Sequence, residues 1–340
     1  MKKSPRITIK NVAEDSGVSV SAVSKVLRNA YGVSDSLREK VERSIKKLGY
    51  RPNTAARALR GRSRTIGLLV SDLRNPFVPD LIDGVREAAD ENKYRIMIGV
   101  GRAENANEQA LVDSMIDQQM DGLILMGPRL STEQIEAYGK QIPVVCHAYH
   151  HPDAAHFDTV NSDDADGASQ ATRRLIATGL ARIHMVSLNQ YDNWKTNVFY
   201  QREQSYLKEM DRCGRVAEAQ VHRFPDPTRR AADWAERFLE TLQLPCAIFC
   251  WSDIDGIALL SAAQSMGIDV PQSLSLIGFD DSAVAALPQI GLASVHQDGF
   301  ALGRSAMRVL FERIEGRTDT THSLIGTKLV ERNSVLATKA

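Results

Sequence analysis

Along the first fifty residues apolar positions recur at helical spacing in three short blocks. Thr8 stands where an N-cap would, and Ile9, Val12 and Ala13 follow at i, i+3 and i+4. The stretch Val18-Ser19-Val20-Ser21-Ala22-Val23 alternates like a half-buried strand, but its flanks keep the helical period. Gly17, free to take a positive φ, ends the first helix, and Ser19 caps a second whose buried stripe is Val23, Val26 and Leu27. A third starts at Ser34, turns Leu37, Val41, Ile45 and Leu48 inward and closes at Gly49. Three short helices with a tight glycine corner predict a helix-turn-helix unit.

From Thr65 the pattern changes. "TIGLLVSDL", "RIMIGV", "DGLILMG" and "PVVCHA" read as buried strands with amphipathic helices between them, such as "PDLIDGVREAADENKY". The scheme restarts with "ARIHMVSL", "AQVHRF", "CAIFCWSD" and "LSLIGFDD". Apolar strands alternating with helices mean parallel sheets covered on both faces. The predicted fold is therefore an all-α helix-turn-helix head on an α/β body of two doubly wound parallel-sheet subdomains. Ligands of such sheets sit at the carboxyl ends of the strands. Those ends carry Ser71, Asp72, Asn75 and Phe77, then His147, Trp194 and Arg202, then Trp251, Ser252, Asp253, Asp280 and Asp281. Carboxylates, an arginine and aromatic rings suit a polyhydroxylated ligand, because acids accept from vicinal hydroxyls and a ring covers an apolar sugar face.

Charge changes the picture of the head. Residues 1–64 hold 16 Lys+Arg against 5 Asp+Glu, a net +11, which the rest of the 340-residue chain cancels to a formal net of zero. A basic head on an acidic body points to nucleic acid. The outer face of the second helix carries Val20, Ser21, Ser24, Lys25 and Arg28. Short polar side chains let a helix press into a major groove, and an exposed valine suits a thymine methyl. After "LGYRPN", Pro52 breaks the third helix and Asn53 can cap a short one, with Ala55, Ala56 and Leu59 on one side and Arg57, Arg60, Arg62 and Arg64 supplying charge. Such a helix is too short to be stable alone and should order with a partner.

Other classes are excluded or weakened. No apolar run reaches the roughly 18 residues a membrane helix needs, and "MKKSPRITIKNVAEDS" lacks the apolar core of a signal peptide, so cytoplasm is the expectation. The four cysteines have no zinc or redox spacing and read as buried free thiols. "GVGRAE" lacks the third glycine of a dinucleotide site, and neither a P-loop nor G-x-S-x-G is present, which argues against an enzyme and against any cofactor. A solute-binding protein would fit the body alone, but not the head.

The segments "ITIKNVAEDSGVSVSAVSKVLRN", "VSDSLREKVERSIKKLGYRPN" and "AARALRGRSRTIGLLV" resemble the start of lactose-repressor/galactose-repressor family transcription regulators, and the similarity runs through nearly the whole chain. The resemblance implies a periplasmic-binding-protein-like body, a homodimer on a pseudo-palindromic DNA operator, and a hinge helix pairing in the minor groove, where Leu59 would wedge into a base step. The implied division is a DNA-binding domain at 1–52, a hinge at 53–64 and an effector domain at 65–340. Within it, one subdomain spans about 65–160 plus 294–324 and the other about 161–293 plus 325–340. The residues expected at DNA are Thr8, Ser19, Val20, Ser21, Ser24, Lys25, Arg28, Asn53, Ala56, Leu59 and Arg60. For the effector, "NPF" matches the segment after the first strand, so Phe77 or Val78 would line the pocket. Arg202 in "QREQSY" matches the family's effector arginine, although Ser205 replaces the usual glycine. "IGFDD" makes Asp280 the matching acid. Asp253 keeps an acid in a segment that usually reads N-D-E, His147 stands where an aspartate is frequent, and Gln297 lies near a crossover. With Ser71, Asn75, Trp194 and Trp251 these complete the expected set. The effector is expected to be sugar-like. Lys195 and Arg202 near one mouth hint at a sugar acid or phosphosugar, and a nucleobase corepressor is the other alternative.

Overall fold

The computed structural model describes residues 7–27, 30–50, 62–101, 104–189, 194–225 and 233–337. The chain divides into two compact units, 1–63 and 64–340.

In the first unit, α1 (Ile9–Ser16), α2 (Val20–Leu27) and α3 (Asp35–Leu48) close on Val12, Ala13, Val23, Val26 and Val41. Asn11 Oδ1 accepts from the Thr8 backbone N–H at 3.0 Å and from its hydroxyl, which fixes the start of α1. Gly17 has φ +60°, where a Cβ would be strained, and ends α1 as its left-handed C-cap. Ser19 Oγ accepts from Ala22 N at 3.1 Å and Ser34 Oγ from Leu37 N at 3.3 Å, so both predicted caps are present. Asp15 ties α1 to α3 by accepting from Ser44 Oγ at 2.7 Å and Lys47 Nζ at 2.6 Å. Those bonds hold its carboxyl below the ordinary range.

The second unit contains two six-stranded sheets. The first comprises β1 (Thr65–Val70), β2 (Arg95–Val100), β3 (Gly122–Met126), β4 (Val144–His147), β5 (Asp158–Ser162) and β11 (His322–Ile325), in the order β11-β5-β4-β3-β1-β2, all parallel. One face is covered by α4 (Val78–Glu91) and α11 (Gly299–Ile314), the other by α5 (Asn105–Asp117) and α6 (Thr132–Gly139). The second comprises β6 (Ile183–Leu188), β7 (Gln220–Phe224), β8 (Cys246–Cys250), β9 (Leu274–Asp280), β10 (Ala293–His296) and β12 (Lys328–Val330), in the order β12-β10-β9-β8-β6-β7. β12 is antiparallel to β10, and the remaining pairs are parallel. Its faces are covered by α7 (Asp164–Ile176) and α8 (Val198–Arg212), and by α9 (Trp234–Glu240) and α10 (Asp253–Ser265).

The chain passes between the two sheets three times, after Ser162, after His296 and after Ile325. The sequence put these crossings at 160, 293 and 324. The boundary at 293/294 cuts through β10, whose register Ala293↔Ile277 to His296↔Asp280 keeps it in the second sheet. Cys213 is exposed, against the expectation of a buried thiol, because it follows the last turn of α8, whereas Cys146, Cys246 and Cys250 are strand residues and buried. Among the described residues, no helix is long and apolar enough to cross a membrane.

Candidate functional site

Each sheet has one switch point where the strand order reverses: between β1 and β3 in the first, between β6 and β8 in the second. The carboxyl ends of these strands face a common cavity of about 170 Å3. Val70, Ser71, Met126 and Gly127 line it from the first lobe, and Leu188 and Trp251 from the second. The chain beyond these ends adds Asn75, Phe77, Val78, Leu81, Arg129 and His147, and opposite them Asn197, Val198, Arg202, Ile254, Asp280 and Gln297.

Arg202 is the most constrained of these groups. It is 2 % exposed. Its Nε donates to Asp164 Oδ1 at 2.7 Å, and Nη2 lies 2.6 Å from the same oxygen. Nη1 donates to the Trp251 carbonyl. The guanidinium carbon sits 3.5 Å from the Phe279 ring centroid, a cation–π contact in a dry setting. Burial works to raise the Asp164 pKa, but Arg202 and a 2.7 Å bond from His150 Nε2 outweigh it and hold the carboxyl below its ordinary range.

Asp280 ends β9 with φ +124°, followed by Asp281 at +52°. Two successive positive-φ residues without glycine are strained. The turn is pinned by Arg332 and His296, both bound to Asp281. Asp280 Oδ1 accepts from Gln297 Nε2 at 2.7 Å and Oδ2 from Asn75 Nδ2 at 3.3 Å, so it links the first-lobe loop to the second lobe. Burial, and next the charge of Asp253, push its pKa to about 8.

His147 Nδ1 lies 2.8 Å from the Val160 carbonyl. A carbonyl only accepts, so Nδ1 carries the proton and Nε2 keeps a lone pair. Burial lowers the imidazole to about 4, so it is neutral at pH 7. Phe77 packs near it, with ring centroids 6.3 Å apart. Ser71 lies with its hydroxyl 2.6 Å from the Gly127 carbonyl and 3.1 Å from Glu108, whose buried carboxyl rises to about 7.

Nine of the sequence-expected effector residues thus meet at one cavity: Ser71, Asn75, Phe77, Val78, His147, Arg202, Trp251, Asp280 and Gln297. Asp253 does not join them. Its Oδ1 accepts from Ser294 Oγ at 2.6 Å and its Oδ2 from Ser282 N at 2.7 Å, and it packs over Gly278 of β9. It is a buried fastener that ties α10 to β10 and to the turn after β9, and its neighbour Ile254 lines the cavity. The side chain of Trp194 lies outside the described residues, and only its place at the start of a short helical turn, Trp194–Thr196, is given. Sequence reasoning missed Asp164, Arg129 and Asn197. Arg129 lies just past a strand's carboxyl end, where the strand-end rule could have found it. Asp163, next to Asp164, caps α7 by accepting from Asp166 N at 2.9 Å.

In the head, Val20 is 42 % exposed and shares the outer face of α2 with exposed Ser21 and Lys25, beside exposed Ser19 and Thr8, while Ser24 is half-buried. Arg28, Asn53, Ala56, Leu59 and Arg60 lie outside the described residues.

The raised acids carry a pH dependence of definite sign. A carboxyl whose pKa is higher folded than unfolded holds a proton the unfolded chain has lost, so stability falls as pH rises between the two values. For Asp280 that window runs from about 4 to about 8, and for Glu108 from about 4 to about 7. His147 acts oppositely from about 4 to about 6.5, where the unfolded imidazole is protonated and the folded one is not. Thermal melts should therefore show stability declining from pH 7 to pH 8, at up to about 1.4 kcal/mol per pH unit. Asp280→Asn should flatten that decline, and a variant with the wild-type slope would show that Asp280 titrates elsewhere.

Comparison with known proteins agrees with this geometry. Residues 8–53 match the family described as bacterial regulatory proteins, lacI family, and residues 172–335 match a periplasmic binding protein-like domain. The HTH-type transcriptional repressor CytR of Escherichia coli (strain K12) is 30% identical over 339 residues, 99% of this chain and 98% of that repressor. The structure of the transcriptional regulator CelR in complex with cellobiose is 27% identical, spans 97% of this chain and all of that one, and superposes with a TM-score of 0.68. The lac repressor dimer bound to operator and the anti-inducer ONPF shares the fold with a TM-score of 0.81 at 23% identity, over 98% of this chain and 100% of that one. With its three-helix head, its two switch-point lobes and these full-length similarities, the chain belongs to the lacI family of bacterial regulatory proteins.

Proposed function

We propose that the protein is a repressor that reads an operator with the outer face of α2 and is controlled by a small polar compound held between its two lobes. The exposed Val20, set among Ser19, Ser21 and Lys25, carries the DNA half of this reading. An apolar side chain in water on an otherwise small and basic face has a use if it meets a base edge. The ligand half is supported by polar groups of both lobes converging on one cavity, and by relatives that are repressors or are solved with a sugar bound. Coupling requires that the ligand bind one arrangement of the lobes more tightly than another, and a difference of 1–3 kcal/mol changes DNA affinity about 5- to 150-fold. A homodimer on a pseudo-palindromic site completes the reading, since one small head reads only a half-site. Such a regulator works in the cytoplasm, and neither catalysis nor a cofactor forms part of this function.

Fluorescence anisotropy on operator-like duplexes, with and without candidate ligands, tests it. Ligand-independent affinity that is also insensitive to DNA sequence would overturn it. Lys25→Ala should weaken binding to all sequences about equally and reduce the slope of log K against log salt by about 1, as loss of one phosphate contact requires. An unchanged slope would remove Lys25 from the DNA backbone.

A further inference from the structure

With the cleft as the effector site, the groups that line it also restrict the charge and size of the ligand. We propose that the cavity takes an uncharged compound of single-ring size whose O–H or N–H groups donate to His147 Nε2, and that it rejects sugar acids and phosphosugars because Arg202 is already neutralised by Asp164. Arg202 is the buried cation of the cavity wall. An arginine that is to hold a phosphate or carboxylate presents its fork of donors to that anion. Here Nε and Nη2 are turned onto one oxygen of Asp164, at 2.7 and 2.6 Å, Nη1 is engaged by the Trp251 carbonyl, and the flat face lies on Phe279. What is left to the ligand is a neutral ion pair with spare N–H groups, able to donate to a hydroxyl or carbonyl.

The other buried polar groups add no positive charge. His147 has its proton committed to Val160, so toward a ligand its ring is an acceptor. An anion placed against that lone pair would be repelled. Asp280 accepts from Asn75 and Gln297 on both oxygens and, with its pKa near 8, is mostly un-ionised at pH 7. At the rim, Asp72 is paired to Arg74 at 2.9 Å, and Arg129 is half-exposed, where water screens its field. A ligand anion entering the cavity would lose its hydration and meet, among the described residues, no unpaired buried cation to replace it. Size narrows the class further. A cavity of about 170 Å3 lies below the 300–1,000 Å3 of sites for drug-sized ligands and suits one ring with Phe77 and Trp251 as apolar walls.

The test uses the full-length protein and matched pairs: neutral monosaccharides and nucleobases against the 6-phosphates, uronic acids and carboxylated bases that share their rings. Calorimetry should show that each neutral binder outcompetes its anionic partner by at least tenfold, about 1.4 kcal/mol. Asp164→Asn keeps an acceptor beside Arg202 but removes its neutralising charge. That variant should narrow the preference by at least tenfold, and inorganic phosphate should raise its melting temperature without raising that of the wild type. Should Asp164→Asn fail to fold, the wild-type pairs decide alone. Equal or tighter binding of the anions by the wild type would overturn the proposal while leaving the cleft an effector site. Failure of every compound to bind would instead overturn the effector-site reading, and the proposal with it.

Discussion

Replacing Arg202 with alanine is expected to destabilise the effector domain by about 3–5 kcal/mol, the cost of leaving a buried charge without its partner. Asp164 is 1 % exposed, and its pKa is held down mainly by Arg202. Without the guanidinium it must take up a proton or draw water into the cleft, and Phe279 loses the group stacked on its face. Loss of ligand response in this variant would therefore say little about ligand contact. The informative variant is the double replacement Arg202→Met with Asp164→Leu, since substituting a buried ion pair by apolar side chains of similar volume is often neutral or stabilising. It should recover most of the lost stability in urea titrations while remaining unable to respond to ligand. A loss below about 1 kcal/mol for Arg202→Ala would mean that water reaches the pair and that its electrostatics resemble a surface bridge.

The second large effect is expected at the contact between α4 and α11. A Cβ on Gly303 would stand 2.1 Å from the Leu81 carbonyl oxygen, and one on Gly84 would stand 2.1 Å from that of Phe300. The two helices pack backbone against backbone, with no side chain to give way. Gly303→Ala must push them apart and disturb the layer formed by Leu81, Val85, Leu302 and Met307 over the first sheet. Overpacking costs typically 1–3 kcal/mol, and here the obstacle is main chain, so about 3 kcal/mol or more is expected. Equilibrium unfolding monitored by circular dichroism measures it. A variant as stable as the wild type would show that the helices can slide, and that the tight approach is not required by the fold.

The sequence was most informative where the determinants are local. Caps at Ser19 and Ser34, the corner at Gly17 and the stripe of Val23, Val26 and Leu27 each depend on residues a few positions apart, and each lies where expected. The central strands were legible because burial on both faces makes them continuous apolar runs. β5, β10, β11 and β12 were not, since "DTVNS", "ASVH", "HSLI" and "KLV" are short or polar and become strands only by pairing with their neighbours in the sheets. The site divides in the same way. The strand-end rule found the cavity wall, but it assigned Asp253 by its position after β8. The partners that turn Asp253 away, Ser282 and Ser294, are 29 and 41 residues distant, and nothing local marks them. Asp164 was passed over for a similar reason. Its meaning comes from Arg202, 38 residues on, and from the His150 ring that closes on it from the other lobe.

The threefold passage of the chain between the lobes has a consequence for how the molecule is made. Neither lobe is a continuous stretch of sequence: the first sheet waits for β11 and the second for β12, both within residues 322–330. During synthesis, therefore, neither sheet has both of its edge strands until residues 322–330 have left the ribosome. A nascent chain interrupted shortly before residue 322 carries two unfinished sheets, each with an open strand edge available to other chains.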